Sequence, residues 1–560
     1  MSTLSKIFAK IINARLLKFT SDINLEEQAA YKKGYGTVDQ IFVLQCLVQR
    51  RITEKHGRYY VLFVDFQKAF DSIPHHHMLY TLINNGIHGD ILHILRSMYS
   101  KLKSCVRMDN GLTDYFDCTI GTRQGCILSP LLFSLYMNKL VEMLKCYDCQ
   151  GMYVNEMAKN IMILLYADDV AKGACTVKKL QDMINVLEEF CKNWGLSVNV
   201  DKTKIMVFRK GGSIRNNEKW YMFGKLIEIV TMYKYLGILF TSGLLWNKAI
   251  HTLSLQAKKA VTILLMYSIK CGGLPVSLAF ELFDKMVLPI LTYGAEVWGI
   301  RPYQAIEDVQ IYFCKKVIGL PKNTSNNAVL GECGRHALYI ASFKTCIKYW
   351  LKILKMPESR YTKCCYAMVK RMDERGKKTW ATCVKEMLYK YGFGIVWIEQ
   401  GVGDESLFIS QFVQRLKDCH NQDWYREIHN SSKLSVYCTF KSCLEAEKYL
   451  ECINVWKLRK ALAKLRCSAH SLEIERGRHS GVLLEDRLCK YCEAQERVVI
   501  EDEYHFLLCC PRYKYLRDVY IEPQYTNNVS FETFITLMSS NNCDTLRKLA
   551  LYIFHAFNIK

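Results

Sequence analysis

One run constrains this chain more than any other: Tyr59-Tyr-Val-Leu-Phe-Val64, followed at once by Asp65. An unbroken aromatic, aliphatic and β-branched run of this length reads as a strand buried on both faces. Such a strand needs covering layers above and below, and a carboxylate at its C-terminal end is where a side chain leaves the core for a cleft. A second acidic site is built the same way. Ile161–Tyr166 and Val170–Ala171 flank Ala167-Asp168-Asp169, which predicts two short strands around an acidic turn. Carboxylates at the exits of apolar strands are costly if buried unpaired, so they want cations or solvent. Oxygen-only ligands suit magnesium, and two such ions ~3.5–4 Å apart can stabilise both oxygens of an in-line phosphoryl displacement. An isolated Asp-Asp pair is also the signature of a plain solvated turn, and chain separation does not say whether Asp65 meets Asp168.

The surrounding pattern is mixed. Pro74 opens a helix through His75–Ile83. Thr176 is placed to cap a helix whose stripe of Leu180, Met183, Ile184, Leu187, Phe190, Cys191 and Trp194 ends at Gly195. Leu196–Val200, Ile205–Phe208 and Tyr233–Phe240 have strand character, whereas the chain beyond about Ala249 is mostly helical. The expectation is an α+β front half and an α-helical rear half, and 560 residues suggest two to four packed units. His75-His76-His77 reads as a solvated helix start, since consecutive helical residues do not share a face.

Lys+Arg number 76 and Asp+Glu 54, a net charge of +22, which fits a polyanionic partner better than a small neutral substrate. The 25 cysteines show no regular disulfide spacing and no secretory signal opens the sequence, so reduced thiols inside the cell are the expectation. No apolar run approaches the ~20 residues needed to cross a bilayer, and no membrane association is expected.

Further motifs follow in a fixed order. Val64-Asp65-Phe-Gln-Lys-Ala-Phe70-Asp71 resembles motif A of reverse transcriptases, Gly121-Thr-Arg123-Gln124-Gly125-Cys-Ile-Leu-Ser-Pro130 motif B, and Tyr166-Ala-Asp168-Asp169 motif C. Asn199-Val-Asp-Lys202-Thr203-Lys204 resembles motif D, and Tyr235-Leu236-Gly237 the primer-grip motif E. Glu27-Gln28-Ala-Ala-Tyr31-Lys32-Lys33-Gly34-Tyr-Gly36-Thr37 is similar to the finger motif of non-LTR (LINE-type) retrotransposon polymerases, and Leu288-Pro-Ile-Leu-Thr-Tyr293-Gly-Ala-Glu-Val-Trp298-Gly looks like that family's thumb region. Several motifs in one order carry far more than any one alone.

The resemblance implies a right-hand polymerase: fingers and palm over 1–240, a helical thumb over 241–340, a basic helical connector over 341–480, and a small zinc knuckle over 481–560. It implies that Asp65, Asp168 and Asp169 are catalytic and hold two magnesium ions. Phe70 matches the aromatic gate that excludes a 2′-hydroxyl. Gln124 and Gly125 match the incoming-nucleotide pocket, the glycine permitting close approach. Lys32 stands where the family more often has an arginine for the triphosphate, which loses the bidentate fork but keeps the charge. Lys202 is the candidate to protonate the leaving pyrophosphate, with Lys204 the alternative.

In the rear half Lys344, Lys348, Lys352 and Lys355 fall on one helical face and are nucleic-acid-binding candidates. From Lys344 to Lys378 there are 11 basic and 3 acidic residues. A second cluster comprises Lys457, Arg459, Lys460, Lys464, Arg466, Arg476 and Arg478, and one-signed charge on this scale suits phosphate contacts. Cys489-x2-Cys492-x12-His505-x4-Cys510 has donors and spacing suited to structural zinc; the resemblance favours Cys510 over Cys509.

The resulting expectation is an RNA-directed DNA polymerase acting on an RNA template, a DNA primer or target, and deoxynucleoside triphosphates. It would work inside the cell, in nucleus or cytoplasm, as a ribonucleoprotein. Target-primed synthesis is implied, and as no endonuclease segment precedes the fingers, a separate endonuclease or a truncated element is expected. The rival reading is a catalytically silent RNA/DNA-binding remnant.

Overall fold

The protein is described from a computed structural model, which covers residues 3–20, 25–109, 111–154 and 159–560. Two compact units emerge: residues 1–249, 296–300 and 346–401 form one, and residues 250–295, 301–345 and 402–560 the other.

The first unit is built on a five-stranded sheet of β1 (Tyr59–Val64), β2 (Ile163–Tyr166), β3 (Asp169–Ala174), β4 (Lys204–Phe208) and β5 (Glu228–Val230), in the order β5-β4-β1-β3-β2. All pairs are antiparallel except β4–β5. The expected strand is the central one, and all six of its residues are buried. Its side chains alternate between two layers, as a pleat requires. Tyr60, Leu62 and Val64 share a core with Leu180, Met183, Ile184 and Leu187 of the Val177–Trp194 helix. Tyr59 and Val61 meet Leu44 and Leu47 of the Thr37–Ile52 helix. Gly173 on β3 leaves room for the Tyr59 ring; a Cβ there would stand 2.1 Å from the tyrosine hydroxyl.

The Val177–Trp194 helix starts and stops where its sequence places it: the Thr176 hydroxyl accepts from Lys179 N at 3.2 Å, and Gly195 closes it at φ +73°. Two strand expectations are corrected. Leu196–Val200 is a loop that runs beside the chain leaving β1, with an isolated Phe66–Val198 bridge and no strand of its own. Tyr233–Phe240 is a hairpin, with strands Met232–Tyr235 and Ile238–Thr241 folded about Leu236-Gly237, both at positive φ.

Residues 346–401 pack with the front of the chain, a grouping the four-segment division by sequence does not contain. The reason is a buried polar cluster. Arg360 lies over the Tyr35 ring at 3.3 Å and reaches Asp39 at 3.2 Å and Glu26 at 3.3 Å. The Tyr349 hydroxyl donates to Asp39 at 2.9 Å, and Phe42 packs edge-on against Trp380.

The second unit is helical. Its core gathers the Trp456–Arg466 and Cys543–Ile559 helices with Cys489, Cys492, Phe506 and Cys510. Arg466 is buried against Glu332 at 2.8 Å and Glu447 at 2.7 Å. Counting it among phosphate-facing charges is therefore a misreading: its guanidinium is consumed inside the unit. Arg459 is buried too, donating to Ile453 O at 3.1 Å. Cys452 and Cys543 form a disulfide, a departure from the expectation of reduced thiols. The pairing arises from tertiary packing across 91 residues, which spacing rules do not reveal. No helix among the described residues is long and apolar enough to cross a membrane.

Candidate active site

The three front carboxylates are brought together by strand register. β1 and β3 pair Val64 with Val170. Carried one step past its last pair, that register sets Asp65 toward Asp169, and the charges of Asp168 and Asp65 both act on the Asp169 carboxyl. Tyr166 pairs with Asp169, so Ala167 and Asp168 form the two-residue turn. Ala167 has φ +56°, a left-handed conformation that costs an alanine about 1–2 kcal/mol.

That turn is held from outside. Gln28, fully buried, accepts through Oε1 from Ala30 N at 3.0 Å and from Ala167 N at 3.2 Å. Leu165 exchanges backbone bonds with Glu27 O (2.9 Å) and Ala29 N (3.0 Å), and the Gln40 amide donates to Leu165 O at 3.1 Å. On the other flank, Asn199 N donates to Asp65 O at 2.8 Å, and the buried Thr203 hydroxyl accepts from Asp65 N at 3.2 Å. The finger-like segment and the Asn199–Lys204 segment thus both end on the carboxylate strands.

Asp168 and Asp169 reach solvent at their tips, and Asp65 is half-buried. Protein packed around Asp169, then the charges of Asp168 and Asp65, hold its carboxyl above the ordinary value. Among the described residues none of the three is in an ion pair. Tyr233 stacks on Phe63 at 4.2 Å between ring centres; burial, then Asp169 and Asp65, push its hydroxyl up to about 12. Tyr31, at φ +62°, is raised by burial and by Asp168. Gln28, Tyr31 and Tyr233 were given no site role by the sequence; Gln28 and Tyr31 were legible only as members of the finger-like segment, and Tyr233 only as a strand residue.

The nucleotide candidates are disposed unevenly. Phe70 is half-buried and stacks on Phe133 at 4.2 Å. Exposed Gln124 donates to Asp71 at 3.3 Å. No protein atom lies within 4 Å of a Cβ built on Gly125, whose φ of +74° is the local reason for glycine. The tight approach is at Gly121, where a Cβ would meet Asp71 O at 2.8 Å. The Lys32 ammonium folds back to Leu25 O at 2.6 Å, and burial lowers its pKa. Lys202 is exposed, whereas Lys204 is tied to Glu228 at 2.5 Å. Lys344, Lys348, Lys352 and Lys355 are all exposed; Lys352 stands 3.7 Å from Asp39.

In the second unit, the ligand atoms of Cys489, Cys492, His505 and Cys510, all buried, lie within 4.8 Å of one another. A hairpin-like crossing, with Cys489 N donating to Val499 O at 2.8 Å, presents the first two. Asp502 accepts from His505 N at 2.7 Å and fixes the turn that carries the histidine. Cys510 belongs to this group and Cys509 does not. Soft and borderline donors in a closed buried set fit a tetrahedral zinc ion.

Residues 1–240 match the family model described as reverse transcriptase (RNA-dependent DNA polymerase). The chain is similar to the probable RNA-directed DNA polymerase from transposon BS of Drosophila melanogaster, 23% identical over 319 residues, covering 56% of this chain and 34% of the relative. It is likewise similar to the RNA-directed DNA polymerase from mobile element jockey of Drosophila funebris, 23% identical, covering 52% and 32%. The chain spans about a third of the length of these curated relatives. Among solved structures, telomerase from Candida albicans in complex with a fragment of telomeric RNA has 12% identity and a TM-score of 0.34, covering 72% of this chain and 56% of that one. Apo telomerase from Candida tropicalis, truncated from its C-terminal domain, gives 15% and 0.30, covering 43% and 44%. The residues that match the reverse transcriptase model, 1–240, are those that carry Asp65, Asp168 and Asp169 on and beside the central strands, and this part of the chain is similar to RNA-directed DNA polymerases of mobile elements.

Proposed function

We propose that the protein is an RNA-directed DNA polymerase of a LINE-type retrotransposon, with a right-hand arrangement of fingers and palm (1–240), thumb (241–340), basic connector (341–480) and zinc-bearing end (481–560). The observation that carries the reading is that Asp168 and Asp65 lie near enough to Asp169 to raise its carboxyl, at the ends of paired central strands, with no cationic partner among the described residues. An anionic cluster of this kind, at the exits of buried strands, fits magnesium and not a structural role. Two magnesium ions bound there would lower the pKa of a primer 3′-hydroxyl and neutralise charge developing on the nucleotide phosphates.

The chain's own residues do the rest. Asp65, Asp168 and Asp169 supply the oxygen ligands on a turn that Gln28 keeps in place. The Phe70 ring, backed by Phe133, would lie under the sugar and exclude a 2′-hydroxyl. Gln124 and Gly125 would line the incoming base and sugar. Lys202, the exposed member of its pair, would protonate the leaving pyrophosphate. Lys32 would reach a triphosphate after leaving Leu25 O. Lys344, Lys348, Lys352 and Lys355 would hold backbone phosphates without reading sequence, and Cys489, Cys492, His505 and Cys510 would hold one structural zinc. RNA template, DNA primer or target, deoxynucleoside triphosphates and a separate endonuclease complete the reading, within an intracellular ribonucleoprotein.

The test is primer extension on poly-rA with oligo-dT, dTTP and magnesium, using the wild type and Asp168→Ala. Extension by the wild type alone is expected. No extension by the wild type, or equal extension by both, rejects the reading.

A further inference from the structure

Between the Trp456–Arg466 and Cys543–Ile559 helices the second unit carries a groove of about 650 Å³. That is within the roughly 300–1,000 Å³ range of ligand clefts. Lys457, Lys460 and Lys464 line one wall, Phe554 and Phe557 the other, and Trp456 stands at one end. The lysines recur at helical spacing, so their ammonium groups rise from one face. None of the three has an ion-pair partner among the described residues. Lys460 is set in place from below: its stem packs on Gly319, where a Cβ would meet Lys460 Cγ at 2.9 Å, and its ammonium lies 4.6 Å from the Trp456 ring centre. Trp456 is 46% exposed.

The remaining wall groups are satisfied. His470 pairs with buried Glu503 at 2.9 Å, and the Phe557 ring stacks on Phe506 at 4.8 Å. Partial burial, then the neighbouring Lys460 charge, lower the pKa of Lys464. Of the basic residues in this part of the chain, Arg459 and Arg466 are spent inside the unit and Arg476 and Arg478 pair with Glu473 and Glu475, which leaves the lysine row beside aromatic rings. Cations tracking a backbone next to rings that stack bases is the chemistry of single-stranded nucleic-acid binding.

We propose that this groove binds a short run of unpaired polynucleotide, phosphates on Lys457, Lys460 and Lys464 and a base on Trp456. It rests on the polymerase reading only in taking nucleic acid to be the polyanion. The groove belongs wholly to the second unit.

Binding of the full chain to fluorescent oligo-U, to oligo-dT and to a blunt DNA duplex, followed by anisotropy over a salt series, tests this. Trp456→Ala is expected to weaken single-strand binding about tenfold with little change in salt dependence, and Trp456→Phe to restore most of it. Replacing the three lysines by glutamine should shrink the salt slope by roughly 2, at about 0.7 per lost contact on a single strand. Lys457→Gln, an exposed change that spares folding, should give about one-third of that. Loss confined to RNA or to DNA identifies the strand; loss for both identifies the shared chemistry. Unchanged single-strand affinity and slope in Trp456→Ala and Lys457→Gln, or equal losses on the duplex, overturn the proposal. Primer extension on the same preparations scores the polymerase reading separately. Groove-dependent binding by a protein that never extends a primer leaves this inference standing and removes the other.

Discussion

The Gln28 side-chain oxygen accepts a hydrogen bond from the backbone N–H of Ala167 at 3.2 Å, tying the finger-like segment to the turn that carries Asp168. The same oxygen also accepts from Ala30 N, so one buried amide fixes two loops. Gln28→Ala leaves both N–H groups without an acceptor, a cost of about 1–3 kcal/mol for each buried group unmade. It also frees a turn strained at Ala167. Extension by this variant is expected to fall at least tenfold in kcat, since small displacements of reacting groups are expensive, while Gln28→Glu, which keeps an acceptor, loses less. Steady-state extension kinetics on the two variants checks this.

Lys172 is buried in β3, opposite Leu62, with its ammonium 3.3 Å from Met183 O, and burial brings its pKa down to about 7. In the unfolded chain it returns to the ordinary lysine range near 10.5. Between those values the unfolded state binds the extra proton, so stability rises with pH from about 7 upward and the full cost is present below 7. Lys172→Met should flatten that dependence and raise stability at pH 7 by roughly 1–4 kcal/mol. Urea unfolding at several pH values measures it.

Arg466 is paired with Glu332 and Glu447 in the interior of the second unit. Arg466→Met strands buried carboxylates and is expected to destabilise by about 3–5 kcal/mol. Its effect on nucleic-acid affinity, measured on protein still folded, should be small, which separates this arginine from the surface lysines.

Chelation should remove one zinc per chain and lower the melting temperature of the second unit, because Cys489, Cys492, His505 and Cys510 sit in its core. Cys510→Ser should abolish metal retention and Cys509→Ser should not. Metal analysis of the purified variants decides between them.

The sequence made the site's chemistry legible because each carboxylate follows an apolar strand: Tyr59–Val64 had to be interior, so Asp65 had to sit at its exit. The Thr176 cap and Gly195 stop were legible for the same local reason. What stayed hidden depends on distant partners. The meeting of Asp65 with Asp169 is a matter of register between strands about a hundred residues apart. Arg360 and Arg466 look like any basic residue until Asp39 and Glu332 close on them. The Tyr233–Phe240 run conceals its hairpin because apolar strand residues flank both sides of Leu236-Gly237, and only the positive φ there reverses the chain.

The central claim is that Asp65, Asp168 and Asp169 are a divalent-cation site, and a magnesium titration of thermal stability tests it most directly. Asp169 has a raised folded pKa, so in metal-free protein its ionisation costs stability as pH climbs through the carboxylate range. Asp169→Asn should therefore melt higher than the wild type at neutral pH without magnesium. Adding magnesium should raise the wild-type melting temperature in proportion to the logarithm of its concentration above Kd and leave Asp169→Asn nearly unmoved. Equal magnesium responses in the two proteins, or none in the wild type, would contradict the account.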